Sequence, residues 1–510
     1  MRPVPSLLCI LSLTAQTSAE PAYGAQRARP VAARPTPSAH SALEARIRRI
    51  ETGLLPANLV SNQPLQRMPL LDRMSFHRTP GVSIAVINNY RVEWARGYGV
   101  RVPGSDQPVR TDTLFQAASV SKPVVAAATL RLVEQGRLAL DRDVNAWLRT
   151  WRVPDNEFTR TNKVTIRGIL THTAGFRIMA YPGTPVGQPV PSTLDLLEGR
   201  QGGPDGPIRV AREPGSQFEY SGAGFIVLQQ LLEDVSGRSF PQLIDNLVFR
   251  RVGMANSTFE QEPSPEIRSR MAAGMERGNP IPGGWLLKPN MASGGLWTTA
   301  SDVAAFAVEL QKAAAGRRNR LLGPAMAARM MPPRQIPAPA GASPIDLARG
   351  LGIEVAGEGP TFRFSHGGIN DGYRSLFIAL GDGRGLVVLT NGSSQVLIHE
   401  IVRAVATEYG WPVPEYLPIP RTVVTIPEAV LQRYAGRYEW PIGRRPQVSE
   451  VTVQNGQLML EGVPLQAESE TRFFGQQGQT YTFGLAPGGG VRGFRMEVPG
   501  LTLEARKLPD

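Results

Sequence analysis

The stretch Phe115-Gln116-Ala117-Ala118-Ser119-Val120-Ser121-Lys122-Pro123 runs directly into an apolar pattern that continues from Val124 to Gly136. A helix is predicted over residues 120–135. Pro123 is tolerated in a first turn, whose amides have no intrahelical acceptor, and Gly136 supplies the stop. A serine three residues ahead of a lysine at that turn puts hydroxyl and amine on one face, about one turn apart. The pair reads as a nucleophile with its base. Alcohols ionise far above neutral pH, so a serine nucleophile needs an adjacent proton acceptor, and an amine serves where its surroundings lower its proton affinity. Arginine cannot take this role. Of 55 lysines and arginines only Lys122, Lys163, Lys288, Lys312 and Lys507 are lysines, and only Lys122 follows a serine at this spacing. The competing reading, a helix cap followed by a surface lysine, is decided by partners elsewhere in the chain.

At 510 residues the chain exceeds one typical domain, which predicts a large catalytic domain with a smaller module. The net charge of +12 is carried by arginines scattered along the chain, with no basic block interleaved with aromatics, so no nucleic-acid partner is expected. Met1-Arg2-Pro3, the apolar run from Leu7 to Leu13 and Thr17-Ser18-Ala19 resemble a secretory signal peptide over residues 1–19, placing the mature protein in the periplasm or outside the cell. No stretch approaches the about 20 apolar residues of a transmembrane anchor. Cys9, the only cysteine, falls in that leader, so neither a thiol nucleophile nor a cysteine metal site is expected in the mature chain.

Residues 20–60 read as a Pro/Ala/Arg-rich linker with a short helix at 43–53, and residues 61–411 as the catalytic domain. Gly81-Val82-Ser83-Ile84-Ala85-Val86-Ile87 and the run from Arg91 to Gly99 form a predicted hairpin around Asn88-Asn89. Within Leu170-Thr171-His172-Thr173-Ala174-Gly175, His172 reads as a loop brace, because polar neighbours can satisfy its ring. Tyr220, in Tyr220-Ser221-Gly222, stands at a loop tip before a helix over 225–235. A third helix is predicted over 303–314, capped by Ser301 or Asp302. Four strand-length runs between Gly350 and Asn391, one of them carrying His366-Gly367-Gly368, point to an antiparallel sheet, and a helix over 397–409 follows. Residues 412–427 read as a linker, and 428–510 as a small all-β module serving as lid, binding surface or contact between copies in a homo-oligomer.

Ser119-Val120-Ser121-Lys122, Tyr220-Ser221-Gly222 and His366-Gly367-Gly368, in this order, resemble the serine β-lactamase and penicillin-binding protein superfamily. The similarity spans about residues 80–409 and is closest to the branch with class C β-lactamases, DD-carboxypeptidases, D-stereospecific aminopeptidases and related esterases. It implies an α+β fold, an antiparallel sheet with a helical subdomain, and it likens the C-terminal module to a lipocalin-like barrel. Carried over by position, Ser119 is the acylated nucleophile, Lys122 its proton partner and Tyr220 the second member of the relay. His366 flanks the cleft for a substrate carboxylate or to tune the tyrosine. Gly367 and Gly368 let substrate approach the strand, and the oxyanion hole comes from the N–H groups of Ser119 and Ile369. No metal or organic cofactor is implied.

Two positions depart from the pattern. Gly222 stands where many members have asparagine, and His366 where many have lysine, which shifts the expectation from β-lactam hydrolysis towards D-amino-acid peptides or amides. A carboxylesterase or weak β-lactamase is the alternative within this chemistry. A non-catalytic binder of cell-wall fragments is the alternative outside it.

Overall fold

The computed structural model describes residues 37–61, 63–177, 181–200, 206–332, 350–440, 447–498 and 501–509. The expected leader at 1–19 lies outside the described residues, as do residues 20–36. The chain divides into two units. Of residues 1–47 the described part is the start of helix Pro37–Glu51, longer than the predicted 43–53; residues 48–510 hold the sheet, the Ser119 turn and the barrel.

The predicted hairpin is strands Gly81–Asn88 and Arg91–Gly99. Asn89 and Tyr90 turn the corner at φ +52° and +58°, the pair of positive φ values that matches the twist of the flanking strands. These strands complete one six-stranded antiparallel sheet, ordered Glu354–Ala356, Arg363–Asn370, Tyr373–Leu380, Gly385–Thr390, Gly81–Asn88, Arg91–Gly99. Central strands are buried on both faces, which is why Gly81–Asn88 reads as a continuous apolar run. On one face Ala85, Ile87, Phe377, Val387 and Leu389 join a core with helices Ser121–Glu134, Gly222–Ser236 and Ala300–Ala314. The alternate residues Ile84, Val86, Ile378 and Val388 point to the other face, where helix Gln395–Glu408 packs. The expected α+β fold is the one adopted.

Two local expectations are corrected. The cap of helix Ala300–Ala314 is Thr299, whose side chain accepts from the Asp302 N–H, rather than Ser301 or Asp302. The buried Asp302 carboxylate instead accepts from Ser257 Oγ and the Asn256 N–H, 45 residues upstream, which no local pattern reports. Residues 412–427 are also more than a linker, since Ile419–Arg421 pairs in parallel with Asn58–Val60.

The C-terminal module is a closed barrel of eight antiparallel strands, from Gly436–Trp440 to Leu501–Lys507, with first and last paired. Its interior is filled by Tyr434, Tyr438, Trp440, Phe473, Phe483 and Phe494. Asn58 Nδ2 donates to Gly475 O at 2.9 Å and Arg421 Nη2 to Thr480 Oγ1 at 2.9 Å, tying the barrel to the strand pair beside the sheet domain. Among the described residues no helix is long and apolar enough to cross a membrane.

Candidate active site

Ser119 lies in a single 3-10 turn, Ala118–Val120, that opens directly into helix Ser121–Glu134. Residues 113–120 are buried except for Ser119, the one point in the turn that solvent reaches. The chain enters through Ala118 at φ +47°, a left-handed conformation that costs a non-glycine residue of order 1–3 kcal/mol. Surrounding bonds hold it there. Ser121 Oγ donates to Ala118 O at 2.6 Å and accepts from the Leu296 N–H at 3.0 Å, while Ala117 O accepts from Ser375 Oγ at 2.7 Å.

One helical turn on, Lys122 Nζ sits 3.0 Å from Ser119 Oγ and donates to Ser293 O at 2.7 Å. Lys122 is 2% exposed. Its amine lies 4.9 Å from the ring centroid of Tyr220 and 5.5 Å from that of Phe225, and among the described residues no carboxylate pairs with it. The surface-lysine reading is therefore excluded. Ser293 is placed from a distance: Gln229, fully buried on helix Gly222–Ser236, accepts from the Ala292 N–H at 2.9 Å and donates to Pro289 O at 3.1 Å. Neither Ser293 nor Gln229 was among the residues expected at the site.

Tyr220 immediately precedes Ser221, the cap of helix Gly222–Ser236. Its ring stacks against His172 at 4.4 Å between centroids. His172, buried and at φ +58°, accepts the Ser221 N–H on Nδ1 at 3.1 Å, and its carbonyl accepts the Glu219 N–H at 2.8 Å. It braces the loop that presents Tyr220, the role read for it from the sequence.

His366, Gly367, Gly368 and Ile369 lie on strand Arg363–Asn370. Its neighbour Glu354–Ala356 pairs only as far as Ser365, so the edge from His366 onward is open. Gly368 is where the strand meets the nucleophile turn. A Cβ there would stand 2.3 Å from both Ala117 O and Ser375 Oγ, and 3.1 Å from the Ala118 Cβ. The glycine at 368 is thus required for strand-to-turn packing, whereas at Gly367 the nearest atom to an added Cβ is 3.8 Å away. His366 shares the Gly368 face two positions back, about 6.6 Å along the strand. It is buried, and its Nδ1–H donates to Gly367 O at 2.7 Å. Ile369 points to the opposite face and is 66% exposed. Asn370 closes the row, donating to Gln116 Oε1 at 2.7 Å and to Gly294 O at 3.1 Å. Lys122 thus stands beside both Ser119 and Tyr220, Gly368 packs against the turn that carries Ser119, and His366 follows along the strand.

A second buried lysine lies in the same domain. Lys288 Nζ donates to Pro182 O at 2.8 Å and stands 3.6 Å from the half-exposed Asp371. Burial lowers its pKa, and Asp371 raises it in part.

Residues 70–406 match the family described as Beta-lactamase. Among relatives, Esterase EstB of Burkholderia gladioli is 33% identical over 40% of this chain and 52% of its own length. Penicillin-binding protein 4 of Amycolatopsis lactamdurans is 31% identical over 50% of this chain and 65% of its own. The chain thus spans between about half and two thirds of these relatives. The octameric penicillin-binding protein homologue from Pyrococcus abyssi superposes with a TM-score of 0.59, covering 85% of this chain and 98% of that one at 21% identity. The D-amino acid amidase from Ochrobactrum anthropi SV3 gives 0.54 at 19% identity over 67% and 97%. At those identities the likeness to solved structures is one of fold. With a family match across well over half of its length, the chain belongs to the beta-lactamase family of serine hydrolases.

Proposed function

We propose that this chain hydrolyses acyl compounds through a covalent intermediate on Ser119. The observation that carries the proposal is the 3.0 Å contact between Lys122 Nζ and the one solvent-reached hydroxyl of the turn. Ser293 O accepts one N–H of Lys122, which orients the amine towards Ser119 Oγ. Ser119 Oγ attacks the substrate carbonyl as its proton passes to Lys122 Nζ. The negative charge moves to the carbonyl oxygen, where the Ser119 and Ile369 N–H groups are its proposed donors. Collapse of the tetrahedral adduct breaks the bond to the leaving group, which departs with a proton delivered through Lys122 and Tyr220. A water molecule then attacks the ester, giving its proton back to the relay, and releases the carboxylic acid with Ser119 restored.

Among leaving groups, the reading favours D-amino-acid peptides or amides, with the open strand edge from His366 to Asn370 to receive an extended substrate backbone. Short-chain ester hydrolysis is the second reading, favoured by the 33% identity to an esterase. Secretion to the periplasm or beyond is proposed from the sequence of residues 1–19 alone. The test is steady-state turnover of a D-alanine amide, a p-nitrophenyl ester and a cephalosporin by the wild type and by Ser119→Ala. Expected is loss of at least about 10³-fold in kcat for every substrate turned over, with the amide or the ester ahead of the cephalosporin. Full turnover by Ser119→Ala overturns the proposal.

A further inference from the structure

A cavity of about 840 Å³ lies where the barrel meets the sheet domain. It is bordered by helix Gln395–Glu408, on the sheet face opposite the Ser119 helix. Val396, His399, Glu400 and Arg403 recur along that helix at the spacing that puts them on one face. The Glu400 carboxylate is already engaged: Arg73 binds both of its oxygens, at 2.6 and 2.9 Å, and His77 Nε2 stands 3.4 Å away. Arg403 has no such partner. Among the described residues its one hydrogen bond runs from Nε to Leu55 O at 3.0 Å, which leaves both terminal amino groups without an acceptor. His399 is reached by solvent inside the cavity yet crowded by protein, and this crowding, with Arg403 beside it, lowers its pKa and favours the neutral ring. Among the described residues that line the cavity, Arg73 and Glu400 offset each other, and Arg403 is left as a cation with no carboxylate bonded to it. Its walls are otherwise apolar or amide. Phe76 is 70% exposed and Leu65 48%, and Phe474 of the barrel lines the same space.

We propose that this cavity is a second binding site, distinct from the Ser119 cleft, for a small organic carboxylate with an apolar body. The carboxylate sits on the Arg403 guanidinium, whose planar fork matches two oxygens, and the body lies against Phe76, Leu65 and Phe474. A monoanion fits better than a phosphate, because among the described lining residues no second cation without a carboxylate partner stands by to match a second charge. The size is that of ordinary small-molecule sites. The barrel lumen cannot serve instead, since aromatic side chains fill it. Burial pushes the Arg403 pKa down to about 10, with Glu400 opposing, so the guanidinium is charged at neutral pH.

The test is calorimetric titration of the full chain with decanoate below its micellar concentration, with acetate and inorganic phosphate as controls. Expected is one decanoate site per chain, with acetate and phosphate at least tenfold weaker. Arg403→Gln weakens decanoate tenfold or more, and Lys122→Met, in the Ser119 cleft, leaves it unchanged. Should Arg403→Gln misfold through loss of its bond to Leu55, Phe76→Ala removes an exposed side chain and weakens decanoate several-fold without affecting acetate. Decanoate affinity untouched by both cavity variants, or lost in Lys122→Met, overturns the proposal, as does phosphate binding as tightly as decanoate.

Discussion

Lys122 and Arg403 are both basic side chains that, among the described residues, have no carboxylate hydrogen-bonded to them, and they differ in what stands beside them. Lys122 has a solvent-reached serine hydroxyl at 3.0 Å and a carbonyl that orients its amine. Arg403 has a backbone carbonyl on one nitrogen and an open cavity of about 840 Å³ on the others. A lysine in this setting can exchange protons with its neighbour, whereas an arginine holds its proton and can only attract. A basic group without a carboxylate partner thus supports chemistry at one place and recognition at the other. Lys288 adds a third case, a buried lysine whose neighbours are a carbonyl and an aspartate, with no hydroxyl hydrogen-bonded to it among the described residues.

Replacing Lys122 gives the largest effect expected among the partners of Ser119. Lys122→Met keeps the length of the side chain and removes the base, so kcat for acylation should fall by about 10²–10⁴-fold. Lys122→Arg should be no better, because a permanent cation cannot take the serine proton. Recovery of most activity in the arginine variant would erase the distinction between the two basic side chains. Next comes Gly368→Ala. Its Cβ would meet Ala117 O at 2.3 Å, so the nucleophile turn has to shift. Expected are a stability loss of about 1–3 kcal/mol in urea titration and roughly 10²-fold lower kcat. Gln229→Leu should act more mildly, through the Ser293 carbonyl. About tenfold in kcat with little change in KM fits a positioning role, with about 1–3 kcal/mol of stability lost because the Ala292 N–H and Pro289 O are left unpaired. The smallest effect belongs to Lys288→Met. Burial without a neighbouring nucleophile confers no catalytic role, so turnover should stay within about threefold of wild type; a loss matching that of Lys122→Met would show that buried lysines in this domain cannot be told apart by their partners.

The residues legible in the sequence were those whose meaning is local. Ser119 and Lys122 are three apart at the start of one helix, the hairpin strands announce themselves by their apolar residues around Asn88-Asn89, and the Tyr220 loop by the helix that follows it. What stayed hidden depends on distant segments. Ser293 reaches Lys122 across 171 residues, and Gln229 reaches Ala292 across 63. The parallel pairing of Ile419–Arg421 with Asn58–Val60 crosses most of the chain and lies inside a proline-rich stretch that reads as linker. Gly368 was legible as a glycine the site needs, but the constraint is contact with Ala117 and Ser375, visible only once strand and turn are side by side. The Arg403 cavity had no sequence signal, because its walls come from the sheet domain, the connecting strands and the barrel together.

The most direct test of covalent catalysis at Ser119 is intact-protein mass spectrometry after brief exposure to an activated acyl ester and to a fluorescent penicillin, with Ser119→Ala alongside. Expected is a mass gain of one acyl group, mapping to the peptide that contains Ser119 and absent from the variant; where deacylation outruns detection, serine-dependent release of product takes its place. An adduct of equal yield on Ser119→Ala, or neither adduct nor product from the wild type, contradicts it.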